Sequence, residues 1–338
     1  MNEVPDLESL YSNYPRLSSV TLPNYVRDLA KTVADLASQN GKVVEVATND
    51  GIFLQLVKEY GAKNVLGIDS GQNCIAATRA RGIDAEEGFF SFAMASELLE
   101  RYGRSEVIVA RHIVEHIDNV DDFMSGVSTL LSEYGTLVLE VPDFRWAIER
   151  GDFTSFTEQH LSYFSPLSLK KLLDRFGFNA QSVRVVPNNW SDALLVICKR
   201  KNTSTPKGSD ENELKPIRPE SAGIFTKSAE TTAEAIKRYI DSGPTVLFGA
   251  FCRTANLLNY TELSAMRSVL KVIDDDARKT GLYLPGTCIQ ISTSKDLYNS
   301  DVKYCVITAV NYENRIMEVH HAFSKQGRFI TLFPTSEA

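Results

Sequence analysis

The sequence predicts an α/β chain in which a doubly wound, mostly parallel sheet is followed by a second, smaller α/β unit. Apolar, β-branched runs alternate with helical patterns from about residue 25 onward, as βαβ units do. Two further runs near residue 190 lie too close together for a parallel crossover and should pair antiparallel. A polar, proline-spaced stretch at 200–220 then breaks the alternation, which restarts beyond it.

Taken in order, the helical pattern YVRDLAKTVADLA (25–37) leads to the strand KVVEVA (42–47). A helix around IFLQLVKEY (52–60) precedes the strand NVLGID (64–69). The helix NCIAATRARG precedes a short strand at DAEEGFF. EVIVAR (106–111) and TLVLEVP (136–142) read as the fourth and fifth strands, and PLSLKKLLDRFGF (166–178) as a helix. AQSVRVVP (180–187) and ALLVICKR (193–200) are the antiparallel pair. Past the linker come the helix AGIFTKSAETTAEAIKRYI, the strand TVLFGA, a helix, the strands VLKVIDDD and YCVITAV, a further helix and the strand RFITLFP. The expected organisation is 1–200 as an N-terminal helical segment plus cofactor-binding domain, 201–220 as linker, and 221–338 as a C-terminal α/β domain for substrate or nucleotide.

The 338 residues suffice for two cores of ordinary size. No run of eighteen apolar residues exists, which excludes a helical membrane span. The N-terminus lacks the basic start and apolar stretch of a secretory signal. A net charge of −7 argues against nucleic acid as the main partner. The five cysteines are scattered without a C-x-x-C pair, which fits free thiols in a cytoplasmic protein.

The first strand runs into Glu45-Val46-Ala47-Thr48-Asn49-Asp50-Gly51. A sharp strand-to-helix turn needs small residues, and Gly51 takes positive φ without strain. Glu45, Ala47, Asn49 and Gly51 are therefore candidate cofactor contacts. Asp69 closes the second strand, where a carboxylate can accept from both hydroxyls of a ribose. The G-x-G-x-x-G of dinucleotide binders is absent, which suits S-adenosylmethionine (SAM), a nucleoside without phosphates. Phe89 and Phe90 end the third strand, as an adenine wall or as ordinary core. Arg111, ending the fourth strand, joins the cofactor set.

Three of the five histidines gather at strand ends: His112 and His116 after the fourth strand, His160 beyond the fifth. Ligands of open α/β sheets bind outside these ends, so the three should share one cleft. No Asp or Cys pattern supports a metal there, and none is expected. Methylating carbon requires removal of a proton next to a carbonyl, work suited to an imidazole. The resulting enolate oxygen needs a hydrogen-bond donor.

Five parallel strands ending in an antiparallel pair resemble the Rossmann-like sheet of class I SAM-dependent methyltransferases. The motifs resemble one family more closely, the nucleotide-sugar (dTDP-deoxysugar) C-methyltransferases of natural-product biosynthesis. EVATNDG is similar to that family's E-I-x-S-N-D-G, ARHIVEHIDNVDDF to A-N-N-V-x-A-H-V-D-D, and TEQHLSYFSP to Y-H-E-H-x-S-Y-F-S. LYSNYPRLSS, LEVPDF, FGAFCRTANLLNY, VIDDDARKTGLYLPGT, ITAVNYENRIM and QGRFITLFP extend the likeness nearly end to end.

The resemblance implies SAM as cofactor, a nucleotide-linked sugar as small-molecule substrate, and His160 as general base. His116, Glu158 and the N-terminal Tyr14 complete the implied catalytic set, and Arg253 stands where a cation would meet the diphosphate. The chain begins after the point where the family's cysteine-rich zinc domain would end. Thr157 and Gln159 replace the family's Tyr and Glu, and His112 replaces Asn. Residues 188–193, with Trp190, replace a segment that contains Arg, so His112 and Trp190 are assigned to the substrate wall. The alternatives are an O- or N-methyltransferase of the same fold and a SAM binder without catalysis.

Overall fold

The computed structural model describes residues 22–157, 159–187, 192–201, 217, 219–266 and 270–333. Tyr14, Glu158 and Trp190 lie outside the described residues. The chain divides into two compact units, Met1–Phe144 with Glu158–Pro216, and Arg145–Thr157 with Ile217–Ala338. The short segment 145–157 thus groups with the later unit.

In the first unit α1 (Tyr25–Leu36) precedes β1 (Lys42–Val46), α2 (Ile52–Glu59), β2 (Asn64–Asp69), α3 (Gln72–Ala80) and β3 (Asp84–Glu87). Then come α4 (Phe92–Tyr102), β4 (Ser105–Arg111), α5 (Val120–Leu130) and β5 (Leu131–Pro142). The segment α6 (Phe144–Arg150) crosses the division, and α7 (Pro166–Arg175), β6 (Phe178–Val186) and β7 (Ala193–Arg200) return to the first unit. The strands form one sheet in the order β3-β2-β1-β4-β5-β7-β6. β1 to β5 are parallel, β7 runs antiparallel to β5, and β6 antiparallel to β7. The predicted doubly wound sheet and its antiparallel pair are both present. Local chemistry starts the helices: Ser91 caps α4 by accepting from Met94 N, and Ser165 with Ser168 forms a capping box before Pro166.

Strand alternation sends side chains to opposite faces. Val44, Val46, Ile108, Ala110, Leu137 and Leu139 pack against the α4, α5 and α7 side. Val43, Val107, Val109 and Val138 pack against α1 and α2. By the same period of two, Glu45, Arg111 and Glu140 belong to this second face, at the carboxyl ends of the three central strands.

The second unit contains α8 (Ala222–Ser242), β8 (Thr245–Phe248), α9 (Cys252–Asn259), β9 (Lys271–Asp274), β10 (Ile291–Thr293), β11 (Tyr304–Ile307), α10 (Glu313–Val319) and β12 (Arg328–Thr331). Its parallel sheet has the order β10-β9-β8-β11-β12, with apolar clusters on both faces. β10, three residues long and at the sheet edge, is an element the sequence reading missed. No described helix is long and apolar enough to cross a membrane.

Candidate active site

The first sheet reverses its strand order between β1 and β4, and ligands of such sheets bind at that crevice. Among the described residues three non-glycine positions have positive φ: Ala47 (58°), Asn49 (53°) and His112 (50°). All three follow β1 or β4. Such strain persists only where surroundings enforce it, and it concentrates at functional sites. The sequence reading assigned positive φ to Gly51 alone. Gly51 has φ 74° at the start of α2, and a Cβ there would come within 2.9 Å of Thr78 Cγ2.

A cavity of about 200 Å³ opens at this reversal. Glu45, Ala47, Asn49 and Asp69 line it beside Phe89 and Phe90. Arg111, His112 and His116 complete the predicted residues on its wall. Asp69 Oδ2 accepts from Asn49 N and Oδ1 from Gly71 N, both at 2.8 Å, which locks the turns after β1 and β2 together. Burial pushes the Asp69 carboxyl above the ordinary range, with the backbone N–H groups opposing. Phe90 belongs to the core, edge-on to Phe123 at 5.4 Å, whereas Phe89 is 45% exposed.

Behind the cavity lies a buried ionic layer. Arg111 and Glu140 are register partners on β4 and β5, and Arg111 Nε donates to Glu140 Oε2 at 2.7 Å. Arg111 also lies over the Phe53 ring at 4.7 Å. The Tyr25 hydroxyl from α1 donates to Glu140 Oε1, and His112 Nε2 reaches the same oxygen at 2.9 Å. Burial opposes the Glu140 charge, but Arg111 and His112 hold its carboxyl well below the usual range. Burial likewise opposes charge on His112, yet Glu140 and Glu115 push its pKa up to about 9. Glu45 has no such cation close enough to prevail, and burial pushes it up to about 8.

His160 lies against the turn after β4. Its ring meets that of His116 edge-on, centroids 4.8 Å apart. His116 Nδ1 is 2.8 Å from the Gln159 carbonyl, which only accepts, so the bond assigns the ring hydrogen to Nδ1. Leu161 N and Ser162 N donate to the Glu115 carbonyl at 2.8 and 3.1 Å. Burial lowers His160 to about 4, with Glu115 opposing, so the imidazole is neutral at pH 7 and able to accept a proton. Glu115, His116 and His160 bring one donor atom each within 4.8 Å of one another.

Arg253, in the second unit, is paired with Asp152 and lies 3.1 Å from Thr154 Oγ1. The sequence reading missed Glu115, Glu140 and Tyr25. Glu140 was findable as a lone acid inside the apolar strand TLVLEVP.

Fold and strand-end site together make this a SAM-dependent methyltransferase. The residues suit that cofactor: a carboxylate ends β2, an exposed aromatic follows β3, and an acid lies buried under the turn after β1. A methyltransferase domain model matches residues 21–183, and a C-methyltransferase C-terminal domain model matches 222–334.

The chain is 25% identical over 312 residues to the C-methyltransferase NovU of Streptomyces niveus, covering 86% of this chain and 72% of NovU. It is 23% identical over 143 residues to a ubiquinone biosynthesis O-methyltransferase of Bartonella bacilliformis, covering 39% of this chain and 57% of that one. A SAM-dependent methyltransferase structure from Archaeoglobus fulgidus aligns at 17% identity and TM-score 0.41, covering 52% of this chain and 94% of the other.

Proposed function

We propose that the chain methylates the carbon next to the ketone of a nucleotide-linked deoxysugar, with His160 as general base. The observation that carries this reading is the placement of the half-buried His160 imidazole beside His116 and Glu115 at the strand ends. An O- or N-methyl transfer removes no proton from carbon, and a binder without catalysis needs no base. Support for carbon comes also from the match of residues 222–334 to the C-methyltransferase C-terminal domain and from the likeness to NovU.

SAM supplies an electrophilic methyl group. His160 takes the proton from the substrate carbon and leaves there the electron pair for the new carbon–carbon bond; SAM would give up the methyl from its sulfur and leave as S-adenosylhomocysteine, so positioning carries much of the rate. The doubly held His112 presents a charged imidazolium at the cavity wall, an electrostatic partner for an enolate oxygen. Asp69 would hold the ribose of SAM, and Phe89 would offer a wall to its adenine. The nucleotide-linked sugar as substrate comes from the likeness of the sequence segments, as do Tyr14 and Glu158 as catalytic residues.

The test is incubation with SAM and a thymidine diphosphate-linked 4-keto-6-deoxyhexose. The expected result is S-adenosylhomocysteine and a product whose NMR spectrum shows a methyl on carbon. A methyl on oxygen or nitrogen, as the partial likeness to O-methyltransferases would favour, ends the reading.

A further inference from the structure

One buried acid stands beside His160. Glu115 is 2% exposed, and its Oε2 has no hydrogen-bond partner among the described residues. Its Oε1 faces His112 Nδ1 at 3.5 Å. Buried acceptors are almost always satisfied, so one left half-used calls for an explanation. The sequence offers no local reason for an acid here, since the neighbouring Val114 is core and the turn carries no capping bond from Glu115.

The geometry around it points one way. The Glu115 carbonyl accepts from Leu161 N and Ser162 N, the two residues that follow His160. The next residue along the turn, His116, bonds to the Gln159 carbonyl on the other side of His160. The loop carrying His160 is therefore stitched to the turn from both sides. A Glu115 oxygen and a His160 nitrogen come within 4.8 Å of each other.

We propose that Glu115 is the positioning residue for His160: in solution the two side chains close from the spacing of up to 4.8 Å to a hydrogen bond, in which the unused carboxylate oxygen accepts from one ring nitrogen and leaves the other to take the substrate's proton. The proposal rests on the reading of His160 as base. In the step, the carbon–hydrogen bond breaks, its electron pair stays on carbon, and the proton moves to the bare His160 nitrogen. Glu115 stays ionised throughout and balances the imidazolium. A carboxylate in this role fixes both ring orientation and tautomer. The charges facing the pair fit: His112, already held charged by Glu140 and Glu115, and His116 both act on His160. A proton arriving on His160 would meet repulsion there without the nearby acid. Glu115 itself is held ionised, its carboxyl below the usual range: burial opposes the charge, and the His112 bond and charge prevail.

The experiment reads the His160 tautomer at pH 7 by ¹⁵N NMR of histidine-labelled protein, with no substrate present. The native protein is expected to hold one tautomer in about tenfold excess or more, the ratio a charge-assisted bond supports. In E115Q the excess should collapse to within about threefold, because the amide serves as donor or acceptor alike. E115D, which keeps the charge on a shorter arm, should fall between. If E115Q does not fold, E115D against the native protein decides. An unchanged tautomer in folded E115Q, or in E115D when E115Q fails to fold, overturns the pairing. So does a stoichiometric divalent cation whose removal with EDTA scrambles the tautomer, which would assign the three donors to the ion.

With SAM and the thymidine diphosphate ketosugar, E115Q should lose about 10²-fold in kcat while KM for SAM stays unchanged. A methyl found on oxygen defeats the base reading without touching the tautomer result, so the two failures are told apart.

Discussion

In the first unit Asp69, at the end of β2, accepts from Asn49 N and Gly71 N, both at 2.8 Å. In the second, Asp274, at the end of β9, accepts from Ala250 N at 2.7 Å and Asp276 N at 2.8 Å. Both acids clasp the turn after the first strand of their sheet, and the first five strands of both sheets follow one order. The surroundings differ. Lys279 donates to Asp274 at 2.9 Å, while no cation pairs with Asp69 among the described residues. The positive-φ non-glycine residues described all lie in the first unit, as does the buried layer Arg111–Glu140–His112. The clasp is scaffold common to both sheets, whereas strain and buried charge mark the one that carries chemistry.

The largest test of that contrast is His160→Ala. Loss of a general base should lower kcat by about 10²–10⁴-fold, with SAM affinity by calorimetry unchanged. Retained turnover would remove the chemistry from the first unit's strand ends. Arg111→Met leaves Glu140 buried with its principal cation gone, and such losses cost about 3–5 kcal/mol. Denaturant melts should show this; a change below about 1 kcal/mol would mean that the layer is better solvated than its burial indicates.

Asp69→Ala and Asp274→Ala sharpen the comparison directly. The first should weaken SAM by tenfold or more, since each charge-assisted bond to ribose contributes roughly 1.5–3 kcal/mol, and the second should leave SAM alone. Equal effects would erase the distinction between the two clasps. The smallest effect concerns pH. His112 is raised from 6.5 to about 9, so the native state binds its proton more tightly than the unfolded chain. Its contribution is full below about pH 6.5 and is lost as pH rises through about 9, on the order of 1–2 kcal/mol after screening. His112→Asn should flatten this slope in melts taken from pH 6 to 9.

Much of this was legible in the sequence because periodicity and strand ends are local. EVATNDG, Asp69, Phe89 and the ARHIVEH histidines all fall at strand ends, and nine of the predicted residues line one cavity. Other features were not local. Ala47 takes positive φ against its own preference, whereas Asn49, whose side chain tolerates that region, is held there by its N–H bond to Asp69. Glu115 reads as a surface acid in a polar turn until the loop 159–162 covers it. Glu140 hides in an apolar strand, and its meaning appears only with Arg111 as register partner. The strand β10, at three residues, carries too little pattern to be seen.

The segment 145–157 also has a consequence for the birth of the molecule. Its Asp152 is partnered by Arg253, 101 residues further along, and its Thr154 and Phe156 carbonyls by Asn256. At roughly 5–20 residues per second of synthesis, these groups emerge from the ribosome roughly 5–20 s before their partners do. The strands of the first sheet are complete by residue 200, so the ribosome presents all seven of them with one strip of chain still waiting. That interval is when a chaperone or protease would most readily find Phe153, which ends in the second unit's core. A nascent chain arrested before residue 253 should be cut in this strip first.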